Sequence, residues 1–183
     1  MSSDEINIHY VSTHEEAKKI IESKEQFFIS NCGCREERGN NCQRSKIDVC
    51  LQFIQGPTSG SATLRETSLE EARDLMRIAE EKHLVTRPFR NLDNLSEIEG
   101  ICFCCDDCCG YQLNPQNEVC DKGIYIELTN TKDCTDCGLC VDVCYFRAKE
   151  LSNGKLKIIS DSCSGCGLCV EVCSETCIQM VLR

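Results

Sequence analysis

Cys134-Thr-Asp-Cys-Gly-Leu-Cys-Val-Asp-Val-Cys144 recurs 29 residues later as Cys163-Ser-Gly-Cys-Gly-Leu-Cys-Val-Glu-Val-Cys173, with 8 of 11 positions identical. Such self-similarity means two copies of one structural unit. Each copy has the spacing C-x2-C-x2-C-x3-C. Three cysteines two residues apart, in a chain wrapped round a compact cage, reach three of its corners. The fourth lies beyond a short helical turn and points away. Gly138 and Gly167 sit inside the loops, where glycine lets main-chain N–H groups come close. Leu139, Val141, Val143, Leu168, Val170 and Val172 are placed to wall the loops from water. Residues 123–128 and 178–182 read as strands. Residues 151–159 carry Asn153-Gly154, a strong hairpin sequence.

These residues resemble the bacterial-type ferredoxin family with two [4Fe–4S] clusters. The resemblance covers about residues 124–183, roughly a third of the chain. It implies a small ferredoxin-like fold with pseudo-two-fold symmetry and one-electron transfer at low potential. It also implies crossed ligation, in which the fourth cysteine of each run completes the other cage. One cluster then takes Cys134, Cys137, Cys140 and Cys173; the other takes Cys163, Cys166, Cys169 and Cys144. Two departures stand out. The family has Pro after the fourth cysteine, where this chain has Tyr145 and Ser174. Cys177 stands where the first copy has Ala148, and reads as a small buried residue. Zinc is the rival for these eight cysteines, but structural zinc uses separated Cys pairs rather than triplets.

The chain holds 19 cysteines, no Trp and only ten Phe and Tyr in 183 residues. A purely apolar core is therefore thin, and domains of this kind lean on metals, disulfides or partners. The acidic, polar N-terminus lacks the charge and apolar pattern of a secretory signal, and no apolar run approaches the ~18 residues of a membrane span. The expectation is a cytoplasmic protein of a reducing, anaerobic cell, where dense cysteine means metal ligation rather than disulfides. The formal charge of −10 argues against nucleic acid. It suits a basic docking face on a redox partner, and equally an ordinary solvated surface.

The first two-thirds read differently. Residues 12–15 and 67–70 have helix-opening sequences, each followed by an apolar face: Ala17, Ile20 and Ile21, then Leu69, Ala72, Leu75, Met76 and Ala79. Residues 48–54 suggest a strand, residues 56–61 a loop, and Pro88 with residues 90–99 an irregular link. The predicted fold class is α+β. A small, mainly helical, metal-dependent Cys-rich domain over 1–123 precedes a two-cluster ferredoxin-like domain over 124–183.

Cys32, Cys34, Cys42 and Cys50 form one set in that first domain; Cys102, Cys104, Cys105, Cys108 and Cys109 form another, and Cys120 stands apart. Neighbours such as Cys104 and Cys105 cannot point the same way in an extended chain, so one of each pair serves one site while the other packs or serves a second. This region looks like the N-terminal parts of 4Fe–4S-binding proteins of anaerobes. Three readings stand: a further iron–sulfur cluster, a structural zinc, or redox-active thiols. Arg35, Arg38, Arg44 and Lys46 read as a solvated loop beside the first set. His9, His14 and His83 are too scattered for a site, and His14 and His83 read as polar surface.

No dinucleotide-binding or P-loop glycine motif is present. The expected function is electron transfer through multiple iron–sulfur clusters, as a carrier or electron-entry subunit for a larger oxidoreductase, with no small-molecule substrate identified. One alternative is a small reductase whose N-terminal metal site is fed by the ferredoxin domain. Another is a zinc-stabilised docking module carrying a ferredoxin.

Overall fold

A computed structural model describes residues 7–39, 41–56, 63–113 and 120–183. Capping chemistry starts both long helices of the N-terminal part. Thr13 accepts from the Glu16 N–H while the Glu16 carboxylate reaches back to the Thr13 N–H. Ser68 accepts from the Glu71 N–H. The elements in chain order are β1 (His9–Tyr10), α1 (His14–Glu22), β2 (Phe27–Ser30), α2 (Gly33–Glu37), β3 (Cys50–Gln52), β4 (Arg65–Thr67), α3 (Leu69–Glu81), β5 (Val85–Arg90), β6 (Ile98–Cys104), α4 (Gly110–Leu113) and β7 (Cys120–Asp121).

The seven strands form one sheet in the order β4-β2-β3-β6-β5-β1-β7, antiparallel except for the β1–β7 pair. The mainly helical reading of residues 1–123 is thus corrected. Its strands are short or interrupted by cysteine, arginine and proline, so alternation over four to eight residues barely shows in the sequence. Pro88 is also corrected from link to strand, opposite Ile101 in β6. Arg90 gives its N–H to Ile8 on the β1 side, so the Pro88 nitrogen faces that side too. β1 is only two residues long there, so the missing donor removes at most one rung of a short pairing. Most of the loop expected at 56–61 lies outside the described residues.

Alternation along β6 sorts its side chains between the two faces of the sheet. Ile101, Phe103 and the following Cys105 join Ala17 and Ile21 of α1 and Ala72, Leu75, Met76 and Ala79 of α3 in the main core. Cys102 and Cys104 face the other way and join Val11, Val85, Cys109 and Cys120. That second cluster is completed by Val143, Leu168, Tyr145, Phe146, Cys166 and Val172. The two halves of the chain therefore share one apolar core on this face of the sheet.

The C-terminal half contains β8 (Tyr125–Thr129), α5 (Leu139–Asp142), β9 (Lys149–Ser152), β10 (Lys155–Ile158), α6 (Leu168–Glu171) and β11 (Ile178–Leu182). β8 pairs with β11, and β9 with β10. Asn153 and Gly154 both have positive φ, as a two-residue hairpin turn of the primed type requires. The repeat is visible in the backbone. Gly138 and Gly167 have φ of 84° and 81°, and Arg147 and Thr176 are left-handed at matching positions. Asp136 occupies the left-handed place of Gly165. Its carboxylate accepts from the Leu156 N–H at 2.8 Å and from Lys155 at 2.8 Å, which holds a non-glycine residue there.

Candidate metal centres

Two cavities divide the repeat cysteines. One is lined by Cys144, Cys163, Cys166 and Cys169. The other is lined by Cys134, Cys137, Cys140 and Cys173. In each, the cysteine from the far run closes the cavity, because the turn after α5 or α6 swings it across. Four soft sulfurs in each cavity, with one left-handed N-cap glycine beside them (Gly167 at the first, Gly138 at the second), fit a [4Fe–4S] cage in each.

Both closing cysteines receive main-chain N–H groups on sulfur. Cys144 Sγ accepts from the Ala148 N–H at 3.2 Å. Cys173 receives main-chain N–H groups of Cys177, Glu175 and Ile178, which outweigh burial and lower its pKa. Burial pushes Cys140 and Cys144 up, and Cys166 up to about 12. These thiols therefore stay protonated until a metal displaces the protons.

The cavities differ in depth. Leu168 at the inner one is fully buried and Gly167 rests on Thr13 of the N-terminal part. At the outer one Cys137 is exposed and Leu139 is 47% exposed. Leu139 was expected to wall its loop from water; here it stands on the surface rim.

Cys177 lines the outer cavity with its Sγ 3.5 Å from Cys173 Sγ. Its site is occupied by Ala148 in the first copy, so Cys177→Ala is expected to leave the iron content unchanged. Loss of iron in that variant, measured by anaerobic metal analysis, would make Cys177 a ligand.

Glu127 and Lys149 line the inner cavity as a buried ion pair, with Nζ to Oε2 at 2.7 Å and side chains 3% and 1% exposed. Lys149 also donates to Thr129 Oγ1 at 3.0 Å.

A histidine bonds the two halves. His14 is buried, contrary to its reading as polar surface. Its Nε2 lies 2.7 Å from the Leu84 carbonyl and its Nδ1 2.8 Å from Glu171 on α6. Both partners can only accept, so the doubly protonated ring is favoured. Burial lowers its pKa, but Glu171, the Leu84 carbonyl and Glu80 outweigh that and the pKa is raised. A raised folded pKa gives stability that is complete below the unfolded value near 6.5 and is lost as pH rises through the folded value. The thermal midpoint is therefore expected to fall with pH just above 6.5, and His14→Gln is expected to flatten that slope. Equal slopes in both proteins would sink this reading.

The N-terminal cysteines gather round two buried guanidiniums. Arg35, expected in a solvated loop, is 0% exposed. It donates to the Phe103 carbonyl at 3.2 Å and to Cys105 Sγ at 3.8 Å. Cys42, Cys105 and Cys108 stand beside it with all three sulfurs within 4.8 Å of one another. Burial raises Cys42, but the Arg35 guanidinium and the N–H groups of Arg44 and Ser45 outweigh it, and the thiol is lowered.

Arg87, 6% exposed on β5, donates to Cys120 Sγ at 3.2 Å, Cys109 Sγ at 3.5 Å and Cys104 Sγ at 3.7 Å, and lies 4.4 Å over the Tyr111 ring. Cys104 is held down at about 6 by the Cys109 thiol and by Arg87, against burial. Cys34 is lowered by its bonds to Cys109 and Cys32, while Cys32 is raised by Cys34 and by burial. Cys102 is raised by Cys50 and by burial, and lies 3.8 Å from His9 Nε2. Burial and Arg87 push His9 down to about 4.

Sequence reasoning missed Arg87, read Arg35 as part of a solvated loop and gave Cys120 no role. Arg87 shares a face of β5 with Val85 and Phe89 and stands opposite Cys102 on β6; that register, visible only once the two strands are paired, is what identifies it. Arg38 is exposed, and Arg44 pairs with Asp106 and lies 5.1 Å over the Tyr145 ring.

No helix among the described residues is long and apolar enough to cross a membrane. None of the curated proteins matches the chain. Residues 126–174 match the family of 4Fe-4S dicluster domains, so this part of the chain is similar to iron–sulfur, ferredoxin-like domains, a type that implies electron transfer.

Proposed function

We propose that the chain moves electrons at low potential, as a carrier or electron-entry subunit for a larger oxidoreductase in the cytoplasm of an anaerobe. Residues 124–183 act as a bacterial-type two-[4Fe–4S] ferredoxin domain. Cys134, Cys137, Cys140 and Cys173 hold the outer cluster, and Cys163, Cys166, Cys169 and Cys144 the inner one. Residues 1–123 carry at least one further thiolate-bound metal, a cluster or zinc. The observation that carries the reading is the pair of four-sulfur cavities, each closed by a cysteine of the other run.

When bound, such clusters supply reversible one-electron chemistry without proton transfer to a substrate. The protein's part is to position and insulate. Leu168, Val143 and Thr13 keep water from the inner cavity, and the shared core places Cys166 with Cys104, Cys109 and Cys120. Cys137 and Leu139 bring the outer cavity to the surface, where a redox partner docks. Main-chain N–H groups on the cysteine sulfurs favour the reduced state.

The direct test is anaerobic iron and acid-labile sulfide analysis with a dithionite titration followed by EPR. About eight irons per chain from the two cages, and a signal that appears on reduction, are expected. A colourless protein that stays EPR-silent after dithionite would overturn the proposal. Rapid turnover of a small reducible substrate without a protein partner would favour a reductase instead.

A further inference from the structure

The N-terminal cysteines do not make one site. β6 ends in Cys104 followed by Cys105, and the two residues face opposite sides of the sheet. Cys105 and Cys108 lie in the core under α1 and α3, whereas Cys104 and Cys109 lie in the core shared with the C-terminal half. Cys42 joins the first pair from the segment after α2. Its Sγ is 3.7 Å from Cys105 Sγ, which is 3.3 Å from Cys108 Sγ.

Those spacings decide what the trio can hold. Four sulfurs round one tetrahedral ion at about 2.3 Å stand about 3.8 Å apart, the edge of the tetrahedron. Thiolates on a cubane bind different irons and stand farther apart. Among the described residues no other metal-ligating group is as tight as this one, including the cysteines of the two repeat cavities.

Arg35 supplies a second, independent observation. A guanidinium is charged at any pH a protein meets, and leaving one buried without an anion is strongly unfavourable. Arg35 is fully buried, its Nε and Nη1 have no hydrogen-bond partner, and its Nη2 donates to the Phe103 carbonyl and Cys105 Sγ; its other neighbours are the Cys42, Cys108 and Cys32 thiols. The charge it needs must come from sulfur. Three thiolates on a divalent ion carry a net charge of −1, which one guanidinium cancels.

We propose that Cys42, Cys105 and Cys108 bind a single tetrahedral thiophilic divalent ion, with zinc the best match to the donor set, and that Arg35 is its built-in counter-charge. Three thiols lose their protons as the ion enters, and a water takes the fourth corner. Cys104, Cys109 and Cys120, gathered under Arg87 on the opposite face, do not belong to this centre. The inference sharpens the metal-binding part of the function proposed above and does not depend on the C-terminal ligand assignment.

The test uses the full chain, produced anaerobically with added zinc. Wild type is expected to carry about one zinc beside its iron, with X-ray absorption at the zinc edge giving about three sulfurs near 2.3 Å. Cys42→Ser and Cys108→Ser are expected to lose zinc at least tenfold, while Cys104→Ser and Cys109→Ser keep it. Arg35→Met is expected to release zinc at least tenfold more readily to a chelator, and Arg35→Lys to restore much of the retention. The iron of the C-terminal half serves as the folding control: zinc lost with iron retained is not unfolding. Where a variant loses both, alkylation of wild type decides, with Cys42, Cys105 and Cys108 expected to react only after chelation. Zinc retained by Cys42→Ser, zinc lost equally from Cys104→Ser, or extra iron and sulfide in place of zinc would overturn the proposal. Absence of iron with zinc present would instead sink only the electron-transfer reading.

Discussion

Glu127→Ala is expected to lower the thermal midpoint of the anaerobic holoprotein on the order of 10 °C. The carboxylate and the Lys149 ammonium meet at 2.7 Å with both side chains almost wholly buried. Such a pair contributes little net stability over an apolar one, because desolvation offsets the attraction. Removing one member is a different matter: it strands a buried charge and costs about 3–5 kcal/mol. In a chain of this size each kcal/mol shifts the midpoint by about 2–4 °C. In the variant Lys149 keeps the Thr129 hydroxyl and the more distant Cys169 and Cys140 sulfurs, none of them a hydrogen-bonded carboxylate. The double variant Glu127→Leu with Lys149→Met removes both charges and is expected to recover most of the loss. Bleaching of the visible absorbance against temperature reads both. A single variant that melts with wild type, or a double variant no better than the single, would show that the pair is not the buried, mutually dependent unit described here.

The repeat was legible because its constraint is local. C-x2-C-x2-C-x3-C, the left-handed glycines 138 and 167 and the Asn153-Gly154 turn each fix a few neighbouring residues, and each stands where the spacing places it. The caps of α1 and α3 were legible for the same reason, offset by one residue from the expected start. What stayed hidden depended on pairing between distant segments. The sheet of residues 1–123 joins β2, β3 and β6 from three separated stretches, and its strands are too short for period-two alternation to show. Arg35 reads as surface because it sits among charged neighbours, yet α2 turns it under the sheet toward Cys105. The opposite facing of Cys104 and Cys105 was in the sequence as a rule about extended chain. Which core each would join required knowing that the C-terminal half covers one face and the helices the other.

The crossed closure of the two cavities leads to the other large effect, and it can be read from iron counts alone. Cys144 belongs by sequence to the run of Cys134, Cys137 and Cys140, yet it lines the cavity of Cys163, Cys166 and Cys169. Cys144→Ala and Cys166→Ala should therefore each remove the same cage, leaving about four of eight irons. The double variant Cys144→Ala with Cys166→Ala should lose no more than either single variant. Cys144→Ala with Cys137→Ala should strip both cages, because one ligand is taken from each cavity. Ligation within each run predicts the reverse pattern: the Cys144 and Cys137 pair would then retain four irons, and the Cys144 and Cys166 pair none. Backbone circular dichroism separates lost iron from a lost fold, since the face of the sheet that packs against α1 and α3 draws on a core that contains none of these three residues. The physical reason for expecting the crossed pattern is the turn after each short helix. Left-handed Arg147 and Thr176 reverse the chain just past Cys144 and Cys173, and main-chain N–H groups then converge on those two sulfurs from the far side. A thiolate fixed in that way cannot swing back toward its own run without giving up the hydrogen bonds that favour its charge.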